Sequence, residues 1–372
     1  MQEAIVIIGG GLAGLSIAYE LSKHSQQKLI LIEAGKVGSG CTTKAAGLLT
    51  PVTEMQLKDD PFLEIVKSSL QYYPSFVQDL THKHPQNVDF QNDGNLLCAY
   101  DHDGERDLAR VVDFKKSLGF EIHELSRAQL QIKEPLLSQR VCSAFFAPTE
   151  GSVDPFTLVK SLKDELSAST NCRIIENTSV TGITLQNNQI KSIKLSNGES
   201  LAASQVVLAS GLAHNIAELQ DAFSLPLRPV KGEALSVMLP SQSLKHPVQI
   251  YHRYPVYLCP RASGEIIIGA TVEEKNDEDN TAGGILDLLF AAWQVLPAIA
   301  EHKFVGAWAG RRPTTPDNFP VAGRTNIDNL FCLLGLYRKG ILLAPYLGSQ
   351  VAKLMLDKST DLNWRQLRYD RF

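Results

Sequence analysis

The stretch AIVIIGGGLAGLSIAYELSKH, residues 4–24, decides the fold of this chain of 372 residues. The apolar run from Ala4 to Ile8 predicts a short buried strand, and the apolar residues at helical spacing behind the glycines predict a helix. A second apolar run, KLILIEAG, then predicts another buried strand that ends on Glu33. Strand, glycine-rich turn, helix and strand in this order predict the βαβ start of a doubly wound α/β fold.

The glycines of this turn have separate physical tasks. Gly9, Gly11 and Gly14 form the pattern GxGxxG. In this pattern the middle glycine lets the backbone approach a pyrophosphate, the last lets helix and strand pack closely, and the helix N-terminus offers unpaired N–H donors. Glu33 would accept the hydrogen bonds of an adenosine ribose. The sequence therefore predicts a bound dinucleotide rather than a purely structural turn, and the motif alone leaves NAD and FAD open.

Length, charge and hydropathy limit the possible function classes. The chain exceeds one average domain, so two intertwined domains are expected. Its net charge of −4 is spread among interspersed charges, which indicates neither nucleic-acid binding nor a basic membrane face. The N-terminus lacks the features of a signal peptide, and the apolar runs are shorter than the roughly 18 residues of a spanning helix. A soluble cytoplasmic protein that acts on a small molecule is expected.

Neither the cysteines nor the histidines predict a metal site. The six cysteines are scattered without a CxxC pair, which is typical of reduced thiols in a cytoplasmic protein. The segment HKH from His82 to His84 has the look of a metal pair, but no third ligand follows at a suitable spacing. A solvated helix end is the favoured interpretation.

The remainder of the chain alternates between two kinds of pattern. After Glu33, the segment AGKVGSGCTTKAAGLLTP contains small and polar residues, which could line a phosphate and a ribityl chain and so favour FAD. Short strands and helices follow from Val88, and CRIIEN and QVVLASG then return to buried strands. Hairpin turns are expected at Asn187-Asn188, Asn197-Gly198 and Ser263-Gly264. Helices are expected to start at Asp154-Pro155 and near Ile285. LRPVKGEALSVML, PVQIYHRYPVYLCPR and GEIIIGATVEE predict the strands of a further sheet.

Five motifs together resemble the glycine oxidase (ThiO) branch of the D-amino acid oxidase and sarcosine oxidase family of FAD-dependent amine oxidases. They are VIIGGGLAGLSIAYEL, PVKGEALSV, YLCPRASGEIIIGAT, WAGRRPTTPDNFPVAGR and YRKGILLAP, in the family's order and over nearly the whole chain. The resemblance implies noncovalent FAD in a doubly wound, Rossmann-like domain, interleaved with an α+β substrate domain whose antiparallel sheet covers the flavin. We expect the FAD-binding domain at residues 1–85, 150–222 and 308–372, and the substrate domain at 86–149 and 223–307.

The family's activity would be the oxidation of a small amino acid. The resemblance implies glycine, sarcosine or a D-amino acid as substrate, an imine or 2-oxo acid as product, and O2 reduced to H2O2. The imine of glycine can feed thiazole synthesis for thiamin. Hydride would pass from the substrate α-carbon to flavin N5, so no side chain is an obligatory catalytic base. The resemblance leaves the oligomeric state open, and a homo-oligomer is one of the states it allows.

Three residues match the family's substrate-binding positions. Arg312 matches the arginine that grips the substrate carboxylate, which a planar guanidinium does bidentately and a lysine does not. Tyr257 matches a tyrosine whose hydroxyl adds a second donor, and Arg338 matches another arginine of the site. The residues matched to FAD binding are Gly9, Gly11, Leu12, Ala13, Gly14, Glu33, Ala34, Cys41, Thr42, Thr43, Ala46, Gly47, Leu48, Val180, Leu336, Tyr337, Arg338, Lys339, Gly340, Ile341 and Leu342.

The chain also departs from the family pattern. It has Arg-Arg-Pro-Thr where Leu-Arg-Pro-Gly is common, Leu336 in place of a histidine, Lys339 in place of an asparagine, and Pro255 where a relative has a histidine. Strict glycine specificity is therefore not implied. Glu54 lies near the site by position, and an exposed loop carboxylate is its favoured interpretation. Arg311 should face away from Arg312 in an extended segment and pair with a structural partner.

Two alternatives to an oxidase stay open at the level of sequence. A D-amino acid dehydrogenase would keep the fold and pass its electrons to an acceptor other than oxygen. A non-catalytic flavoprotein partner would bind FAD without turnover. The intact set of Arg312, Tyr257 and Arg338 argues against the second alternative, because a scaffold does not need a buried clamp for a carboxylate.

Overall fold

The computed structural model describes residues 3–51, 62–82, 88–213, 216–219, 223–239, 244–251, 255–360 and 362–372. Within these residues the helices are α1 (Leu12–His24), α2 (Leu63–Thr81), α3 (His102–Ser117), α4 (Arg127–Lys133), α5 (Pro155–Ala168), α6 (Ala282–Val295) and α7 (Gly340–Met355). The strands are β1 (Ala4–Ile8), β2 (Leu29–Ile32), β3 (Leu48–Leu49), β4 (Phe90–Gln91), β5 (Asn95–Ala99), β6 (His123–Glu124), β7 (Ser143–Ala147), β8 (Gly151–Val153), β9 (Cys172–Ile175), β10 (Val180–Gln186), β11 (Gln189–Leu195), β12 (Ser200–Leu208), β13 (Arg228–Met238), β14 (Val248–Tyr251), β15 (Val256–Pro260), β16 (Glu265–Gly269), β17 (Lys303–Thr314), β18 (Val321–Arg324) and β19 (Leu330–Leu334).

A parallel sheet forms the centre of the first layer. Strands β9, β2, β1, β12 and β19 lie side by side in this order and run parallel. All five residues of β1 are buried, as expected for a parallel strand that is covered on both faces. Helices α1 and α7 pack closely against each other, since a Cβ added to Gly348 of α7 would lie 2.8 Å from the Cβ of Ser16 of α1. The predicted doubly wound arrangement is confirmed.

Hairpins extend this sheet where the sequence predicted turns. Strands β10 and β11 pair antiparallel around Asn187 and Asn188, both of which have positive φ angles of 50° and 58°. Strand β11 then turns into β12 at Gly198, which has a φ of +86°. Asparagine and glycine tolerate this left-handed region better than other residues, so the local sequence was sufficient to locate both turns.

A second, larger sheet has the strand order β17-β13-β16-β15-β14-β5-β7-β6. Neighbouring strands are antiparallel except β5 and β14, which are parallel. Helix α6 packs on this sheet through the buried residues Leu288, Ala292 and Val295. A small third sheet joins β3, β8 and β4. The predicted combination of an α/β layer and an α+β layer with a mainly antiparallel sheet is confirmed.

The division into two domains stays a prediction. Strand β17 pairs with β13 from Lys303 to Thr314, so the larger sheet continues through the predicted boundary between residues 307 and 308. This long strand therefore contains residues of both predicted domains.

Other sequence expectations concern single features. All six cysteines are free thiols. In the described part of the chain, no helix combines the length and apolarity needed to cross a membrane. The same residues hold no cluster of three or more His, Cys, Asp and Glu side chains suited to a metal ion. His84 and Glu54 lie outside the described residues.

Candidate active site

A cavity of about 610 Å³ opens where the strands of the parallel sheet end. It is lined by residues that follow the carboxyl ends of five parallel strands, namely Gly9 after β1, Glu33 after β2, Thr178 after β9, Ala209 after β12 and Gly335 after β19. Ligands of open α/β sheets bind in the crevice outside these strand ends. The larger sheet supplies the opposite wall.

The glycine-rich turn forms one end of this cavity. Gly9 has a φ of +112°, and a Cβ at this position would lie 2.4 Å from the carbonyl oxygen of Ala209. A Cβ on Gly14 would lie 1.9 Å from the carbonyl oxygen of Gly9, so helix α1 could not approach β1 with any larger residue. Gly11, in contrast, would meet only the Thr42 hydroxyl, at 3.3 Å, and it lines the cavity. The turn therefore packs closely at Gly9 and Gly14 and leaves the backbone at Gly11 accessible from the cavity.

Polar groups around this turn are suited to the phosphate and ribose of a dinucleotide. Glu33 accepts hydrogen bonds from the backbone N–H of Gly10 at 2.7 Å and of Gly35 at 2.9 Å. These two bonds hold its carboxylate at the cavity wall. Helix α1 begins at this wall with its positive N-terminal end towards the cavity, where the N–H of Leu12 donates to the Thr42 hydroxyl at 3.1 Å. The donor set fits the pyrophosphate of FAD.

Arg312 lies at the other end of the cavity, on strand β17. Its Nη1 donates to the carbonyl oxygens of Lys231 at 3.1 Å and Thr271 at 3.2 Å. The guanidinium lies directly against Gly232, where a Cβ would be 2.1 Å from Nη2. Strand β13 thus leaves room for the planar group, and two carbonyls set its orientation.

Tyr257 and Arg338 line the same cavity. Tyr257 on β15 lies opposite Gly269 on β16, and a Cβ on this glycine would be 2.5 Å from the phenol oxygen. Arg338 lies in the short turn before helix α7, whose first residues Gly340 and Ile341 also line the cavity. Because these residues form its first turn, the positive N-terminal end of the helix faces the cavity, and Lys339 provides no side-chain cap there. Negative charge is favoured there.

Arg311 has the structural partner that the sequence predicted. Its Nε donates to Glu278 at 3.1 Å and its Nη1 donates to Asn276 at 3.0 Å. Lys44 binds the same carboxylate, with 2.5 Å between Nζ and Oε2. The Glu278 carboxylate accepts hydrogen bonds from Lys44 and Arg311, and these bonds hold the pKa of its carboxyl group below the ordinary value. Arg311 nevertheless also lines the cavity, as does Glu278, so this ionic cluster lies where the cavity meets solvent.

Most residues matched to FAD binding line the cavity, and a few do not. Gly14, Thr43, Lys339 and Leu342 are not among the lining residues. Gly14 serves the packing of α1, and Thr43 donates its hydroxyl to the carbonyl of Gly38 at 2.9 Å. The roles of the individual residues stay predictions.

Sequence reasoning missed several lining residues. They are Lys44, Thr178, Ser179, Ser210, Gly211, Leu212, Ala213, Gly232, Ala270 and Glu278. A usable signal existed for the group from Ser210 to Ala213, because the sequence predicted the preceding strand β12, and ligands gather at the carboxyl ends of such strands. No local signal marked Gly232 or Glu278, which reach the cavity through strand pairing and loop packing.

Comparisons with known proteins agree with this geometry. The family model described as "DAO: FAD dependent oxidoreductase" matches residues 4–354. The glycine oxidase of Geobacillus kaustophilus is 29% identical over 96% of this chain and 93% of its own length. The bifunctional protein ThiO/ThiG of a Synechocystis strain is 29% identical over 95% of this chain, which spans 52% of that protein. The crystal structure of glycine oxidase from Geobacillus kaustophilus superimposes with a TM-score of 0.88 at 28% identity, with 100% of both chains covered. The chain therefore belongs to the DAO family of FAD-dependent oxidoreductases and is a glycine oxidase-like enzyme of that family.

Proposed function

We propose that this enzyme oxidises a small amino acid, with glycine or sarcosine as the first candidates, and that O2 accepts the electrons. The observation that carries the proposal is the joint position of Arg312, Tyr257 and Arg338 in the cavity that begins at the glycine-rich turn. A guanidinium fork, a phenol hydroxyl and a second arginine suit a carboxylate-bearing substrate. The relative from Geobacillus kaustophilus is a glycine oxidase, which supports the same substrate class.

The chain's own residues would bind and orient the substrate. Arg312 is oriented by the carbonyls of Lys231 and Thr271, so its fork would hold the carboxylate in one orientation. Tyr257 would donate to the same carboxylate. Bound FAD supplies a two-electron acceptor for the α-carbon hydrogen. The substrate loses this hydrogen as hydride together with one amine proton, and it leaves as an imine, which water converts to the 2-oxo acid and ammonia or, for sarcosine, methylamine.

Helix α7 would favour the reduced, more negatively charged state of bound FAD. Its N-terminal turn lines the cavity at Gly340, Ile341 and Ala344. A helix N-terminus carries partial positive charge, which stabilises negative charge that develops nearby. Two electrons and two protons would finally pass to O2 to give H2O2. Where glycine is the substrate, its imine would be available for thiazole synthesis.

The test of this function is anaerobic mixing of the purified holoenzyme with glycine, sarcosine, D-alanine, D-proline and glycerol 3-phosphate. We expect one of the amines to bleach the flavin absorbance and glycerol 3-phosphate to leave it unchanged. Bleaching by glycerol 3-phosphate alone would overturn the assignment of an amino acid substrate. Air is then admitted, and stoichiometric H2O2 is expected. A reduced flavin that persists in air would instead indicate a dehydrogenase with another acceptor.

A further inference from the structure

The loop from Lys44 to Gly47 lies on the cavity wall. The carbonyl groups of Lys44 and Ala46 accept hydrogen bonds from residues outside the loop. Trp308 Nε1 donates to the carbonyl of Lys44 at 3.0 Å. The carbonyl of Ala46 accepts from Arg261 Nη2 at 2.6 Å and from the Cys259 thiol at 3.3 Å. These donors come from β15, β17 and the turn after β15, so the larger sheet determines how this loop presents its peptide groups.

Arg261 is an unusual donor because it is a buried cation. Its exposed fraction is only 8%. Besides the Ala46 carbonyl, it contacts the Cys259 sulfur at 3.4 Å and the Asp154 carboxylate at 3.7 Å. Arg261 does not line the cavity. A buried charge costs free energy unless it is well paired, and here its shortest bond is made to a backbone carbonyl of the cavity loop.

The orientation of one peptide follows from this contact. The carbonyl of Ala46 and the N–H of Gly47 belong to the same trans peptide, so they point in opposite directions. Since the carbonyl points to Arg261, behind the wall, the N–H of Gly47 points towards the cavity. Gly47 is buried, and within the described parts of the chain no group accepts a hydrogen bond from this N–H. Buried N–H groups are almost always paired, so a bound molecule should supply the acceptor.

The backbone at Gly47 is specialised for this position. Its φ is +79°, and a Cβ would lie 1.8 Å from the carbonyl oxygen of Val153. The carbonyl of Gly47 itself accepts from the N–H of Val153 at 2.8 Å. The side chains of Ala46 and Leu48 pack with Tyr257 and Trp308, which places the loop towards the substrate end of the cavity.

We propose that Arg261 is a positioning residue that holds the 46–47 peptide so that the Gly47 N–H donates to the isoalloxazine ring of bound FAD. The inference rests on FAD in this cavity and not on any particular substrate. Reduction adds negative charge to the ring, and a fixed donor stabilises the charged form more than the neutral one. Arg261 therefore raises the reduction potential of the enzyme from outside the cavity.

The test is the midpoint potential of the bound flavin, measured anaerobically against reference dyes without substrate. In Arg261→Met we expect the equilibrium between oxidised and reduced flavin to shift about tenfold towards the oxidised form, which is about 30 mV for a two-electron couple. Arg261→Lys should recover part of this shift. Trp308→Phe is the matched control, because it removes the donor to Lys44 and leaves the 46–47 peptide held.

A structural role alone would give a different result. An Arg261→Met enzyme that melts at a lower temperature but keeps the wild-type potential would overturn the proposal. If this variant does not fold, the wild-type holoenzyme carries the test by NMR, with 13C′-alanine and 15N-glycine labels to select Ala-Gly peptides. The Gly47 amide proton should shift when dithionite reduces the flavin, and an unchanged resonance refutes the contact. A chain that binds no FAD would instead refute the proposed function itself.

Discussion

Because Gly232 contacts Arg312, the substitution Gly232→Ala tests whether the orientation of the Arg312 guanidinium governs substrate turnover. Gly232 lies in strand β13, on the cavity wall, with the guanidinium of Arg312 packed flat against it. A Cβ at this position would lie 2.1 Å from Nη2 and 2.3 Å from Cζ of Arg312. Carbon atoms in real structures do not approach so closely, so the guanidinium must move.

The size of the effect follows from these distances. A separation of at least about 3 Å is needed, so the guanidinium has to move by about 1 Å, and a misplacement of about 1 Å can cost about 100-fold in rate. The hydrogen bonds to the carbonyls of Lys231 and Thr271 would be distorted in the same movement. The fold should tolerate the change, because the obstructed atoms belong to the far end of a flexible side chain. We expect kcat/KM to fall about 100-fold while the stability changes by about 1 kcal/mol or less.

The assay compares kcat/KM for the best amino acid substrate, the flavin spectrum and the melting temperature. Gly306→Ala is the matched control, since Gly306 lies on the neighbouring strand β17 and a Cβ there meets no atom within 4 Å. The control should behave as the wild type in all three measurements. A folded, FAD-containing Gly232→Ala enzyme with wild-type kcat/KM would show that the orientation of Arg312 does not govern catalysis.

Three further predictions follow from the same structure. Arg312→Ala should keep the flavin spectrum and lower kcat/KM about 10²- to 10⁴-fold, since two hydrogen bonds to a charged group contribute about 1.5–3 kcal/mol each; an unchanged kcat/KM would remove this residue from the site. Acid precipitation should release all FAD into the supernatant, and a yellow pellet would contradict noncovalent binding. Glu278 has a lowered pKa because Lys44 and Arg311 bind its carboxylate, so its contribution to stability is present above the ordinary carboxyl pKa and is lost as the pH falls through the lowered value. Glu278→Gln should therefore lower the melting temperature slightly at pH 7, and this difference should vanish once the pH is below the lowered pKa; a difference that persists after the carboxyl is protonated would exclude the ionic explanation.

Local patterns were sufficient for much of the fold. The turn at Asn187 and Asn188, the hairpin at Gly264 and the helix start at Asp154 all appear where the sequence predicted them. Asp154 caps α5 by accepting from the N–H of Phe156, which is a contact between near neighbours in the chain. Helix α6 begins at Ala282, a few residues before the expected start near Ile285, because Thr281 caps it through the N–H of Gly284.

The candidate site could be predicted only in part. Arg312 and Tyr257 were found because they stand in recognisable motifs, and both line the cavity. Gly232 and Glu278 were missed because nothing in their immediate sequence marks them. The first faces Arg312 through the pairing of β13 with β17, and the second reaches the cavity through its bonds to Lys44 and Arg311. Such contacts depend on register and on packing between distant segments.

The sequence by itself determined the nucleotide-binding turn, because the requirements for a strand, a tight glycine turn and a helix are all local. Gly11 and Gly14 could be assigned their tasks before any coordinates, and the open space at Gly11 and the close packing at Gly14 agree with them. Only the tertiary structure decided what surrounds the substrate position. The identity of the Arg311 partner, Glu278, the space left by Gly232 and the bond from Arg261 to Ala46 each depend on contacts between segments that are far apart in the chain. Their physical cause is the register of long antiparallel strands and the packing of one layer on the other, and neither is encoded in any single stretch of residues.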